Sequence, residues 1–265
     1  MRIVLFAPTA RSLYSRLVAH ALVQQTNIEL VGIYVRRLWS YKRIRTDLRR
    51  EGPRLIQKIY AKLIIPERYT KQEENQLSVL ADERSLEEKN LVDFSRGRGI
   101  PYFRVHDFNS EGSEASIKDL APDLIVFTGG GLIRKNILAI PTVGILNCHS
   151  GLLPRYRGMD TLEWAILEAE DALPQVGLTL HFMDAGVDTG PILRHHRQEL
   201  RPGESLTSVR QRLEPEMVRL VTEGVRELQR GGFQAQAQKS SEGKQYFVIH
   251  PRLQERAAVK LQKTH

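Results

Sequence analysis

An α/β fold, with a Rossmann-like, doubly wound and mostly parallel sheet, is the class this sequence predicts, and three observations carry it. The run from Arg2 to Ala7 is apolar and β-branched, and it has the character of a buried strand. Ser12 stands before Leu13, Leu17, Ala21 and Leu22, which recur at helical spacing, and Ile28 to Val35 returns to strand character. A strand, a helix and a second strand within about thirty-five residues make a βαβ unit, which requires parallel pairing and a right-handed crossover. Further on, two apolar runs, 123–128 and 143–146, lead directly into glycine-rich or polar segments, as strands do at the ligand-binding edge of open α/β sheets.

Composition sets the outer bounds. The 265 residues are 41% hydrophobic and 26% charged, enough for one large domain with a full core. Cys148 is the single cysteine, so neither an internal disulfide nor a thiolate metal cage can form, which suits a reducing cytoplasm. The apolar run at the N-terminus is too short for a secretory signal, and no stretch reaches membrane-spanning length. A formal charge of +8 favours anionic partners without naming them.

After the second strand the α/β pattern is interrupted by a basic insert over about 36–72, rich in Arg and Lys. Leu55, Ile56, Ile59, Tyr60, Leu63 and Ile64 share one helical face, with Arg54, Lys58 and Lys62 on another. A solvated helix lying on its own domain, a membrane-surface contact and a nucleic-acid contact all fit such a stripe. A charged helix is expected over Glu74 to Arg96, a short strand over Pro101 to Val105, and a helix capped by Ser113 and ending at Leu120. Asp123 to Thr128 reads as a buried strand running into Gly129-Gly130-Gly131-Leu132-Ile133, and Val143 to Leu146 as the end of the next strand. Thr161 to Glu168 is helical, Val176 to Phe182 alternates like a strand with Thr179 and His181 on one face, and the segment MDAGVDTGPIL is a turn-rich hairpin. A long helix, with a kink expected near Pro215, covers Ser205 to Arg230. The tail holds a hairpin-like segment, Lys244 to Ile249, and a final basic helix. The domain division is therefore 1–232 for the main domain and 233–265 for a short C-terminal extension.

The most informative stretch is Ile145 to Gly158, ILNCHSGLLPRYRG. Asn147 and His149 lie two apart, so both leave the same side of an extended chain, and Cys148 turns to the opposite side. On these residues alone, a structural corner and a ligand site are both consistent. Gly-x-Ser-x-Gly is absent, so Ser150 lacks the strained elbow of a nucleophile. His149, His181, His195 and His196 lack the spacing of a metal site. An amide, an imidazole and the carboxylate of Asp188 remain, and the fold gathers them at one sheet edge. That set suits acid/base and oxyanion chemistry, and with it acyl transfer to an amine through a tetrahedral intermediate.

Asn147-Cys148-His149, then Leu152-Leu153-Pro154-Arg155-Tyr156-Arg157-Gly158, then Asp188-Thr189-Gly190 about forty residues on, resemble the folate-dependent formyltransferase family over roughly Arg2 to Leu200. The resemblance implies 10-formyltetrahydrofolate as donor, held near Gly129, Gly130, Gly131, Leu132, Ile133 and Val187, with no metal. It implies Asn147 and His149 polarising the formyl oxygen, and Asp188 keeping His149 charged and helping to remove the amine proton. It places the amine acceptor near Arg11, Ser12, Gly151, Arg157 and Gly158.

The acceptor varies within that family. Where glycinamide ribonucleotide enzymes carry a Gly-Ser-Asn phosphate loop, this chain reads Pro8-Thr9-Ala10-Arg11-Ser12. Methionyl-tRNA enzymes have a further C-terminal domain, longer than this tail, and tend to read His-Gly-Ser. The order His149-Ser150-Gly151 and the Trp164-Ala165-Ile166 helix are more similar to the sugar-nucleotide N-formyltransferases. The expectation is a cytoplasmic enzyme formylating a nucleotide-linked amino sugar in glycan synthesis. A methionyl-tRNA acceptor is the alternative, and a non-catalytic basic relative that binds nucleic acid or a membrane surface is the rival from another class. Monomer and homodimer are both open.

Overall fold

A computed structural model describes residues 1–37, 75–169 and 173–263. Of the basic insert only Arg36 and Arg37 fall among them, and its amphipathic face lies outside the described residues. The main sheet has seven strands in the order β3-β2-β1-β4-β5-β7-β8. These are β1 (Arg2–Ala7), β2 (Glu29–Arg36), β3 (Tyr102–Val105), β4 (Leu124–Phe127), β5 (Gly144–His149), β7 (Val176–Phe182) and β8 (Ile192–Gln198). The first five pair in parallel, and β7 and β8 are added antiparallel beyond β5. The chain winds outward from β1 to β3, then returns to the other side of β1 for β4 and β5. That reversal opens a crevice at the carboxyl ends of the strands.

Strand alternation gives each face its own core. Ile3, Leu5 and Ala7 of β1, with Leu146 and Cys148 of β5 and Leu178 and Leu180 of β7, pack beneath α1 (Leu13–Val23) and α7 (Leu206–Gln229). The other face carries Val4, Phe6, Ile125, Phe127 and Ile145 against Phe108 and against Ile117 of α4 (Glu111–Leu120). Each fully buried aliphatic side chain there contributes about 1.5–3 kcal/mol. Beyond Ile145 this second face turns polar. Asn147 pairs with His181 and His149 with Thr179 across β5 and β7, so four polar side chains project together. The apolar run at Ile145 is thus the start of a strand that continues to His149, and not its end.

Two other local expectations are corrected. Ser110, not Ser113, caps α4, because the Ser110 oxygen accepts from Ser113 N–H while the Ser113 hydroxyl turns back to the Asp107 carbonyl. The helix expected over 74–96 is two helices, α2 (Gln76–Glu83) and α3 (Leu91–Arg98). Ser85 breaks it at φ 52°, and Asn90 starts the next helix by accepting from two backbone N–H groups. The long helix α7 continues through Pro215.

The segment Lys244–Ile249 is not a hairpin. Its strand β9 (Lys244–Tyr246) runs parallel to β6 (Tyr156–Gly158), far away in sequence, as a separate two-stranded ribbon. Helix α8 (Pro251–Lys263) then packs on α6 (Thr161–Glu168). No described helix is long and apolar enough to cross a membrane.

Candidate active site

Two antiparallel strands deliver the polar cluster. On β7, His181 is buried, and its Nδ1 donates to the Phe182 carbonyl at 2.8 Å. Burial pulls its pKa from the ordinary 6.5 down to about 4, with Asp188 opposing the shift. The ring is therefore neutral near pH 7, and Nε2 carries a lone pair. Asn147 Nδ2 sits 3.1 Å from that nitrogen and donates to it. The Asn147 amide is thereby held with its nitrogen toward His181, leaving its second N–H and its carbonyl oxygen for other partners.

His149 is held from two sides. Its Nε2 is 2.8 Å from the Tyr156 carbonyl, an acceptor only, so Nε2 carries a proton. Its Nδ1 lies 3.4 Å from Asp188 Oδ2. Nδ1 is therefore the ring nitrogen that faces the carboxylate, Nε2 being committed to the backbone. Asp188 Oδ1 also lies 3.7 Å from His181 Nε2, and Oδ2 accepts the Gly158 N–H at 2.8 Å. The Asp188 backbone is left-handed, φ 54°, a conformation that neighbouring contacts must hold for a residue with a Cβ.

The loop between β5 and β6 is fastened to the sheet. The fully buried Thr179 hydroxyl donates to the Gly151 carbonyl at 2.6 Å and accepts the Leu153 N–H at 3.0 Å. His195 Nε2 reaches the Leu153 carbonyl at 2.8 Å, and the Thr161 hydroxyl donates to the Ser150 carbonyl. Gly151 lies against the imidazole: a Cβ there would be 2.8 Å from His149 Nε2.

The other expected site residues divide. Gly129, Gly130 and Gly131 follow β4 with φ of 121°, 126° and 113°, forming a backbone shelf beside the β5 edge, where a Cβ at Gly130 would lie 2.5 Å from the Phe108 ring and one at Gly131 2.3 Å from Arg36. Arg36 donates to the Gly130 carbonyl. Leu132 is 71% exposed above the shelf, and Val187 is half-buried in the hairpin beside Asp188. The Ile133 side chain packs in the second core beneath the shelf. Ser12 caps α1 and accepts from the Ser15 N–H and hydroxyl, while Arg11 next to it is exposed. Arg157, expected to touch the acceptor, is buried instead and gives its guanidinium to Gln238 Oε1 and the Lys239 carbonyl. Gly158, φ 93°, lets β6 and β9 meet, because a Cβ would lie 2.1 Å from the Tyr246 carbonyl oxygen.

Cys148 faces the core, and burial pushes its thiol pKa up, so it is no nucleophile. No group of three His, Cys, Asp or Glu able to hold a metal occurs among the described residues. Residues 64–224, more than half of the chain, match the family model described as formyl transferase. The chain belongs to the formyl transferase family.

Its sequence relatives include the methionyl-tRNA formyltransferase of Pelobacter propionicus, 35% identical over 143 residues, 54% of this chain and 44% of that protein. That of Stenotrophomonas maltophilia is 45% identical over 104 residues, 39% of this chain and 32% of that protein. The chain thus spans less than half the length of these curated relatives. Among solved structures, glycinamide ribonucleotide transformylase 1 of Symbiobacterium toebii superposes with a TM-score of 0.56 at 18% identity, covering 90% of this chain and 94% of that one. A sugar N-formyltransferase of Shewanella sp FDAARGOS_354 gives 0.59 at 13% identity, covering 98% and 87%. Both share the formyl transferase fold with this chain.

Proposed function

We propose that this chain transfers a formyl group from 10-formyltetrahydrofolate to a primary amine, with Asn147, His149 and Asp188 as the catalytic residues. The observation that carries the reading is the arrangement around Asp188. One carboxylate lies against the Nδ1 of a doubly held histidine, and beside it an asparagine amide is oriented by a neutral His181. Among the described residues no activated serine or cysteine accompanies them, so the set fits direct transfer better than a covalent acyl-enzyme.

The donor supplies an electrophilic formyl carbon, and the glycine shelf with Leu132 above it suits a flat ring laid on backbone. Asn147 offers an N–H to the oxygen that gains charge as the amine adds. His149 turns its Nδ1 edge, beside Asp188, toward the same oxygen, its Nε2 being held by the Tyr156 carbonyl. Asp188 takes the proton released by the adding amine, and that proton leaves with the departing folate nitrogen. One donor of this kind is worth roughly 100- to 1,000-fold in rate.

For the acceptor we favour a nucleotide-linked amino sugar, on the His149-Ser150-Gly151 order and the Trp164 helix. Methionyl-tRNA is the second reading, favoured by the identity to methionyl-tRNA formyltransferases. Release of tetrahydrofolate from 10-formyltetrahydrofolate, measured with each acceptor in turn, tests both. Turnover with one and not the other decides between them. His149→Ala and Asp188→Ala should each lose about 100-fold or more; turnover that survives either substitution refutes the mechanism.

A further inference from the structure

The strand β6 has two edges. One is taken by the C-terminal segment: Lys244 N–H donates to the Arg155 carbonyl at 3.2 Å and Met159 N–H to the Tyr246 carbonyl at 3.0 Å. Alternation sends the peptide groups of Tyr156 and Gly158 to the opposite edge. There the Tyr156 carbonyl holds His149 Nε2, and the Gly158 N–H holds Asp188 Oδ2. The pair read as reacting is therefore bolted to the free edge of a three-residue strand whose position is set by β9. A ribbon this short is not stable alone.

A second tie closes the arrangement from the hairpin side. Gln236 exchanges both backbone hydrogen bonds with Ile192, at 2.8 and 2.7 Å, which seats the next residues beside β8. Two residues on, Gln238 Nε2 donates to the carbonyls of Asp188 at 3.1 Å and Gly190 at 2.6 Å. Its Oε1 accepts from Arg157 Nε and Nη2 at 3.3 and 3.2 Å. One amide thus spans the hairpin that carries Asp188 and the strand that carries Tyr156 and Gly158, and it grips the left-handed Asp188 residue by its own carbonyl.

We infer that Gln238 is a positioning residue, which sets the Asp188 carboxylate against His149 by donating its amide to the 188–190 backbone while Arg157 holds its other end. The inference rests on reading Asp188 and His149 as the reacting pair. It makes Gln236 to Tyr246 part of the site through their bonds to β6, to Ile192 and to the 188–190 backbone. The competing account is that Gln238 merely fastens the C-terminal segment through Arg157. The two accounts part at Gln238→Glu, which keeps an acceptor for Arg157 and removes both donations to the hairpin.

The test uses the full chain labelled with 13C-histidine, reading the His149 Cε1–Hε1 cross-peak, assigned by its loss in His149→Asn. Asp188→Asn sets the displacement produced when the carboxylate is lost. Gln238→Ala and Gln238→Glu should both move the peak in that direction by at least half as much, with cooperative melting retained. The exposed Gln262→Ala should leave it in place. If Gln238→Ala does not fold, Gln238→Asn, whose amide is one methylene too short to span both sides, is read the same way. A wild-type peak position in Gln238→Glu overturns the inference, and so does an Asp188→Asn peak that does not move. With an acceptor in hand, kcat should fall roughly 10- to 100-fold while the KM for the donor stays within about twofold. The cross-peak needs no acceptor. A wild-type chain that never releases tetrahydrofolate would sink the transfer reading and leave the positioning result to stand by itself.

Discussion

Asn147 Nδ2 stands 3.1 Å from His181 Nε2, and the histidine on which it leans is kept neutral by burial. The asparagine side chain is oriented by a ring whose other nitrogen is spent on the Phe182 carbonyl. A charged His181 would have no lone pair to offer, and Asn147 would have to turn its carbonyl toward the ring. The electrostatics of one strand therefore set the hydrogen-bonding sense of its neighbour.

That dependence makes stability a function of pH. The folded pKa of His181, about 4, lies below its ordinary 6.5, so the unfolded chain binds the additional proton. Stability is then fully present above pH 6.5 and is lost as pH falls toward 4, by on the order of 3 kcal/mol. His181→Gln preserves an acceptor for Asn147 and removes the titration. Urea midpoints measured between those pH values should fall more steeply for wild type than for this variant. Equal slopes would show that His181 is not the group responsible. His181→Leu, with no acceptor, should lose roughly 10- to 100-fold in turnover.

Thr179 is a second buried support, holding Gly151 and Leu153 through one hydroxyl. Thr179→Val fills the same volume but leaves the Leu153 N–H without its acceptor, a loss of about 1–3 kcal/mol. Thr179→Ser should retain most of the stability. Denaturant midpoints of the two variants check this, and a Val variant as stable as the Ser variant would mean that the loop is held by its other ties.

The common face of Asn147 and His149 was legible from strand alternation alone, as was the placing of Cys148 in the core. The bond between Asn147 and His181 was not. It depends on the antiparallel register of β5 and β7, which no local spacing encodes across thirty-four residues. The alternation of Val176 to Phe182, which puts Thr179 and His181 on one face, was the signal available. The resemblance puts Ile133 near the donor with the three glycines, and its aliphatic side chain, two residues beyond the shelf, lies in the core. The resemblance places Arg157 near the acceptor, and the residue that pairs it, Gln238, lies eighty-one positions away. Nothing in the local sequence marks Gln238.

Gly158 tests how far the ribbon matters. An alanine there would carry a Cβ at φ 93° and 2.1 Å from a backbone oxygen, neither of which the ribbon can accommodate without moving. Gly158→Ala should cost about 1–3 kcal/mol and speed hydrogen exchange at the Met159 N–H, which pairs with Tyr246. An unchanged exchange rate there would mean that β6 and β9 tolerate separation.

The last contact joins α6, α7 and α8. Glu163 on α6 is fully buried and meets Arg210 of α7, with Gln254 of α8 at 3.4 Å from the same oxygen. Arg210 is 42% exposed, so the pair is lopsided: the carboxylate has lost its water and the guanidinium has not. Removing the cation leaves a buried charge with one weak donor, which for a buried pair costs about 3–5 kcal/mol, less here because part of the site is wet. Arg210→Ala should therefore lower stability by about 2–4 kcal/mol. Adding Glu163→Gln should recover more than half of that, because a neutral amide no longer needs the cation. A double variant no more stable than Arg210→Ala would place the loss in packing instead. The comparison is made on chemical denaturation at neutral pH and low salt, where exposed ion pairs elsewhere on α7 affect both variants equally.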